Sequence, residues 1–411
     1  MSRYRKARRQ ASVVTTPVEE HPVELTLRDL ILHHLSEWIP RLVDAEIEEF
    51  LGRKHHEPLR GGEIQQYRNG FHKERSLTCG VGTFPIRLAR LREPFDSQIV
   101  QRYQRQTQEV GQMLPQLYLH GLATGDFQDA LRGVLGEGAP LSGSTIVRLK
   151  AQWEEEYRQW KKRKLQEQYL YVWADGVYPK AGPKDESAAV LVVVGLNRKG
   201  EKELLAIEEG FRESFESWRD VLRDLKRRGV KWVGLLIADG LEGLPKAMRD
   251  VFPMAKRQLC FLHKMRNVLD KVPTKVHDEV LHALQEIYYA RSRDVAVGLR
   301  RAFIGRYGRE YPEAVRSLEK AGDHLFTFFD FPKRHWRSIK STNVIESMFN
   351  AVKLRTDAAR RIHNRHSALF LVFKLLTTQE KRLHKIHGYR LVPETIETLK
   401  RAQRSLLRRP A

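Results

Sequence analysis

The chain predicts an α/β fold carrying an all-helical insertion, preceded by a mainly α N-terminal region. Three observations carry that expectation. From Tyr169 onward, short apolar runs and amphipathic stretches follow the order β-β-β-α-β-α-β-α, a sheet opened by hairpins and continued by right-handed crossovers. Residues 274–333 interrupt that rhythm with helical periodicity alone, as in DEVLHALQEIYYA. Across 411 residues, 73 Lys and Arg against 51 Asp and Glu leave a formal charge of +22, which favours a polyanionic partner.

Residues 1–24 are charged and hold Pro17 and Pro22, and read as a disordered basic arm; no apolar stretch follows MSRYRKARRQ as a secretory leader requires. Residues 25–168 form a basic region suited to DNA. Apolar residues at helical spacing over Leu25–Leu51 predict one or two short helices, broken or kinked before Pro40. RNGFHKERSLTCGVGTFPIRLARLREP, punctuated by Gly80 and Gly82, predicts a small basic β-hairpin. Helices are expected over Gln108–Arg132 and Ser142–Leu165. The stretch from Asp126 to Tyr157 can be drawn as helix, turn and helix with Ser142 or Ser144 as cap, which suits a helix-turn-helix DNA reader or an ordinary helical hairpin. The charged run EEEYRQWKKRKLQEQ then reads as a connector.

The first part of the α/β core covers residues 169–273. YLYVWADGVY, AAVLVVVGL and ELLAIEEG are three strands, with NRKG turning between the last two. SFESWRDVLRDLKRRG is an amphipathic helix capped by Ser214 and stopped at Gly229. KWVGLLIADG is a strand, LPKAMRDVF a short helix, AKRQLCFL a strand, and a helix runs from about Lys264 to Lys271. After the helical insertion, residues 274–333, the core resumes over 334–390 with STNVIESMFNAVKLR and RHSALFLVFKLLTTQEKRLHKI as helices; 391–411 reads as a basic tail. The longest apolar run, Ala188–Leu196, falls far short of the roughly 20 residues that span a bilayer, so a transmembrane helix is not expected and nucleic acid stands ahead of a membrane surface as partner. Two cysteines, Cys79 and Cys260, build no disulfide framework, which fits a reducing cytoplasm.

Two strands end in the same tripeptide, Ala174-Asp175-Gly176 and Ala238-Asp239-Gly240. An Asp-Gly after a strand is a common turn. In a sheet of this connectivity, however, the first and fourth strands lie side by side and parallel, so both carboxylates emerge at neighbouring points. Held close, they repel unless a cation sits between them, and hard divalent ions take oxygen ligands of this kind. A third acid is expected nearby, and Glu346 in STNVIES is the best candidate; Asn343-x-x-Glu346 also has the spacing of a helix capping box, in which Glu only satisfies a backbone N–H.

Together with Phe252-Pro253, Ala255, Gln258, Cys260, His263-Lys264, Arg266-Asn267 and Thr342-Asn343-Val344-Ile345-Glu346, the two Asp-Gly pairs resemble the bacterial IS256 group of transposases, related to the plant Mutator elements. The resemblance extends from roughly residue 60 to 380. It implies a ribonuclease-H-like catalytic core with a helical insertion, and Asp175, Asp239 and Glu346 as an acidic triad holding two Mg2+ or Mn2+ ions for phosphoryl transfer to water or a DNA 3′-OH. It also implies double-stranded DNA partners, the terminal inverted repeats and a target, with a homodimer or higher multimer pairing two ends in the nucleoid-associated cytoplasm. A non-catalytic DNA-binding regulator and another nuclease or integrase of this fold are the alternatives.

His263, Arg266, Asn267, Asn343 and Cys260 are expected near the DNA at the edge of the acidic site, Cys260 as a packing residue or close neighbour. Arg355, Arg360, Arg361 and Arg365, with His366, form a basic cluster suited to the phosphate backbone. Trp336 suits either stacking on an unpaired base or packing on the insertion. Zinc is not expected: Cys260-x-x-His263 has no second Cys or His pair at finger-like spacing, and His363 with His366 has no further ligand.

Overall fold

The computed structural model describes residues 26–57, 67–119, 132–133, 135, 143–179, 188–211, 213–240, 243–358 and 365–407. They fall into two compact units, residues 1–112 with 128–140, and residues 113–127 with 141–411.

In the first unit, helix α1 (Leu27–Leu51) opens with a capping box: the Thr26 hydroxyl accepts from the Asp29 N–H, and the Asp29 carboxylate accepts from the Thr26 N–H at 3.0 Å. Pro40 lies inside this single helix, contrary to the expected break. Burial explains the difference. Leu32, Leu35 and Ile39 before it, and Val43 and Ile47 after it, all join one apolar cluster with Leu77, Phe84, Ile86 and Leu91. Packing on both sides outweighs the roughly 3 kcal/mol that an interior proline costs. The expected basic hairpin is two antiparallel pairs: β2 (Arg75–Thr78) with β3 (Thr83–Ile86), and β1 (Arg68–Phe71) with β4 (Ala89–Leu91).

Helix α2 (Gln108–Leu119) carries the chain from the first unit into the second. Most of the first helix and the turn of the helix-turn-helix expectation fall outside the described residues. Its last part, α3 (Gly143–Lys162), belongs to the second unit and is more than a connector. Trp153 and Tyr157 are buried, and the Tyr157 hydroxyl donates to the Ile207 carbonyl at 2.9 Å.

The second unit is built on five strands: β5 (Gln168–Val177), β6 (Ala188–Leu196), β7 (Lys202–Phe211), β8 (Trp232–Ala238) and β9 (Lys256–Leu259). Their order is β7-β6-β5-β8-β9; β6 is antiparallel to both neighbours, while β8 and β9 continue parallel to β5. First and fourth strands are adjacent, as the sequence order predicts. Helices α4 (Phe215–Arg227) and α5 (Gly243–Val251) cover one face, burying Trp218, Leu222, Leu225, Leu244 and Met248 against Val172, Leu191, Val193 and Leu236. Ser214 caps α4 as expected, its hydroxyl accepting from the Ser217 N–H.

On β5, Tyr171 and Trp173 bond outward to the segment that returns from the insertion: the Tyr171 hydroxyl lies 2.7 Å from His335 Nδ1, and the Trp173 indole donates to the Ser338 carbonyl. The insertion is helical, as expected, with α7 (His277–Tyr288), α8 (Arg293–Tyr307) and α9 (Pro312–Lys320) following α6 (Phe261–Leu269). Buried Gln258 on β9 ties sheet to insertion, donating to the Leu325 carbonyl and accepting from the Phe328 N–H.

Helices α10 (Asn343–Ala358) and α11 (Arg365–Glu380) follow, with α11 packed on β7. Residues 391–411, expected as a tail, contain α12 (Val392–Leu407). Val392 and Ile396 are fully buried, and Gln403 accepts from the Trp232 indole at 2.8 Å while donating to the Met254 carbonyl. Among the described residues no helix is long and apolar enough to cross a membrane.

Candidate active site

Ala174 and Ala238 stand opposite each other in the parallel β5–β8 ladder, so Asp175 and Asp239 lie at the same level; β8 ends there as expected, whereas β5 continues to Val177 because Asp175 and Gly176 still pair with β6. Each carboxylate accepts the N–H of its following glycine. Both are half-buried. Asp175 is pushed up to about 7, first by burial and next by the negative charge of Glu213, with Glu346 adding and His263 opposing. Glu213, between β7 and α4, is itself pushed up by burial and by Asp239, and its Oε1 accepts from the Tyr178 hydroxyl at 2.9 Å. The sequence reading missed Glu213. It follows a strand without Asp-Gly punctuation and precedes a plain Ser cap, so nothing local marks it.

Glu346 reaches this cluster from the first turn of α10. The Thr342 hydroxyl, fully buried, donates to its Oε1 at 2.6 Å, which fixes the carboxylate's direction. Cys260 organises the opposite side. Its backbone N–H donates to the Ala238 carbonyl, directly before Asp239, and its sulfur accepts from the N–H groups of His263 and Thr342. Cys260 is therefore the N-cap of α6, which starts at Phe261 rather than near Lys264. That start places His263 in the first turn, with Nδ1 3.3 Å from Thr342 Oγ1 and 3.8 Å from Glu346 Oε1. His263 is pushed up to about 9, mainly by its hydrogen bond with Cys260, with Asp239 and Glu346 contributing against the cost of burial. An imidazolium beside three carboxylates is a counter-charge. Arg266 adds a second, 3.9 Å from Glu346 Oε2.

Cys260, His263 and Glu346 offer ligand atoms all within 4.8 Å of one another. The sequence argument against zinc had weighed only Cys and His partners, and Glu346 is the third donor it did not consider. The sulfur, 1% exposed, is already occupied in capping α6. The oxygen donors Asp175, Asp239, Glu213 and Glu346, all partly buried, suit a hard divalent cation better.

Of the expected DNA contacts, Arg266, Asn267 and Asn343 are exposed on α6 and at the start of α10. Cys260, 1% exposed, takes the packing alternative, while Arg355 is corrected: at 2% exposed it presents no surface to a phosphate. Composition marks a cationic or polar residue but not the side of the helix it occupies. Trp336 takes the packing alternative, donating its indole N–H to the Phe331 carbonyl and lying edge-on to Phe328 and Phe329. Arg360 and Arg361, with His363, lie outside the described residues, as does the side chain of Arg365. His366 is exposed, 3.2 Å from Glu209.

The family model described as "Transposase, Mutator family" matches residues 9–385. The chain belongs to the Mutator family of transposases. Among its relatives, the transposase for insertion sequence element IS6120 of Mycolicibacterium smegmatis is 42% identical over 284 residues, 69% of this chain and 88% of that protein. The transposase for ISRM5 of Rhizobium meliloti (strain 1021) is 31% identical over 366 residues, 88% of this chain and 90% of the relative. That for IS905 of Lactococcus lactis subsp. lactis (strain IL1403) is 28% identical over 364 residues, 87% of this chain and 91% of the relative.

Proposed function

We propose that this transposase binds the terminal inverted repeats of its insertion sequence and carries out strand cleavage and strand transfer on a ribonuclease-H-like core, with Asp175, Asp239 and Glu346 as the acidic triad for two Mg2+ or Mn2+ ions. The supporting observation is the convergence of carboxylates far apart in the chain: parallel register sets Asp175 beside Asp239, and the Cys260–Thr342–Glu346 contacts draw the third acid to them. When bound, the ions supply Lewis acidity, lowering the pKa of an attacking water or 3′-OH and stabilising the leaving oxygen.

The chain's own groups do the rest. Thr342 holds Glu346 in one direction, so the carboxylate needs no reorientation on binding. His263, positively charged at neutral pH, offsets part of the repulsion among the acids before DNA arrives. Arg266, Asn267 and Asn343 are exposed where a phosphate backbone can approach the site. The +22 charge supplies the sequence-independent attraction to DNA, and a dimer serves to pair two ends. No covalent intermediate with the protein is required.

The test is cleavage of duplex DNA carrying the element's ends, with Mg2+ or Mn2+. Asp239→Asn is expected to lose at least about 100-fold in cleavage rate, since several kcal/mol of transition-state stabilisation go with a lost ligand, while its binding in a mobility shift stays within about twofold. Equal binding by both proteins with no cutting by the wild type would leave a DNA-binding regulator as the surviving reading.

A further inference from the structure

The two Asp-Gly pairs, one inside β5 and one just past the end of β8, differ in what their glycines make room for. A Cβ added at Gly240 meets nothing within 4 Å, whereas one at Gly176 would fall 2.6 Å from Oε1 and 2.8 Å from Cδ of Glu213. The Glu213 carboxylate thus lies against the backbone immediately after Asp175, in a space that any other residue at 176 would fill. Its backbone is fixed as well: a Cβ at Gly243 would fall 2.7 Å from the Glu213 carbonyl oxygen and 2.9 Å from Phe215 N, so the start of α5 presses on the turn that carries it. Tyr178, two residues beyond Gly176 on the same chain segment, orients the carboxylate by donating to Oε1.

The direct contacts of the carboxylates differ across the cluster. The cations His263 and Arg266 stand against Glu346, at 3.8 and 3.9 Å. Glu213 has the Tyr178 hydroxyl as its donor, and its carboxylate lies against the backbone of residue 176, next to Asp175. A half-buried carboxylate held in a cluster of others is costly unless a cation is shared among them.

We infer that Glu213 is a fourth carboxylate of the centre, contributing a ligand oxygen to a divalent cation held with Asp175 and Asp239, and that residue 176 is glycine to admit it. The inference rests on the reading of Asp175 and Asp239 as cation ligands. Glu213 is set apart from the triad by its position, on the turn into α4 rather than at a strand end or on α10.

The experiment is a titration of the full chain with Mn2+ near pH 7.5 without DNA, the free ion followed by electron paramagnetic resonance. Glu213→Gln is expected to weaken Mn2+ binding about tenfold, and Glu213→Asp, which keeps the charge on a shorter arm, less. Tyr178→Phe, which loosens the carboxylate without removing it, should weaken binding by roughly two- to fivefold and gives the answer should Glu213→Gln fail to fold. Asp175→Asn separates the two readings. If it abolishes Mn2+ binding while the Glu213 and Tyr178 variants stay within twofold of wild type, the centre stands and the fourth ligand is overturned. If Asp175→Asn itself binds Mn2+ as wild type does, both fall.

Discussion

Four carboxylates meet where β5 and β8 end, and Asp175 bears much of the cost of bringing them together. Its carboxyl rises from an ordinary 3.8 to about 7, with burial the largest cause. A raised pKa means that the folded protein holds the proton more tightly than the unfolded chain does. Asp175 therefore contributes stability fully below about pH 4 and loses it as the pH climbs through 7. In metal-free buffer, Asp175→Asn should melt several degrees above wild type at pH 8, at roughly 2–4 °C per kcal/mol recovered, and show no gain at pH 4. Adding Mg2+ should shrink the difference, because the ion stabilises the wild type by mass action. Thermal melts with and without chelator read this directly; an Asn variant no more stable at pH 8 would mean that the acids are already neutralised. Asp175 and Asp239 were legible in the sequence because each follows an apolar strand and precedes a glycine. Glu213 was not, because what defines it is its closeness to residues 175, 178 and 239. Burial, equally invisible in composition, is what removed Arg355 and Cys260 from the surface.

The junction between β9 and α6 shows how an element boundary controls chemistry. The run LCFL is uniformly apolar, and periodicity cannot divide a buried strand from the start of a buried helix. The division is made by the Cys260 cap, whose sulfur takes the N–H groups of His263 and Thr342 and so links α6 to the residue before α10. With the helix begun at Phe261, His263 turns toward Glu346. Thr342 is the keystone of this contact, buried and bonded to both sides. Replacing it by valine keeps the volume but removes the hydroxyl, leaving the Glu346 carboxylate without its 2.6 Å donor. Thr342→Val should lose roughly 1–2 kcal/mol of stability and need severalfold more Mg2+ for half-maximal cleavage, while Thr342→Ser restores the metal dependence. Equal metal dependence in all three proteins would reduce Thr342 to packing.

At the scale of the whole chain, the insertion and the C-terminal helix are parts of how the second unit is closed. Strand order and the all-helical block were readable from the alternation of patterns, since each strand and helix carried its own period. Helix α12 was not, because polar and charged residues outnumber the apolar ones along it and conceal an inner stripe. That stripe buries Val392 and Ile396 completely, and Gln403 bridges Trp232 to the Met254 carbonyl. The family match stops at residue 385, yet the fold does not. Full burial of two aliphatic side chains is worth about 1.5–3 kcal/mol each, a large share of the roughly 5–15 kcal/mol that holds a domain folded. A chain ending at Arg390 should accordingly melt roughly 10 °C lower or aggregate, whereas one ending at Leu407 should melt with the full-length protein. Because α12 supports β5 and β8 from the end away from the acids, moderate cooling should restore Mn2+ binding to whatever fraction of the shortened chain stays folded. A shortened chain that melted within a degree or two of full length would show that the sheet is complete without α12.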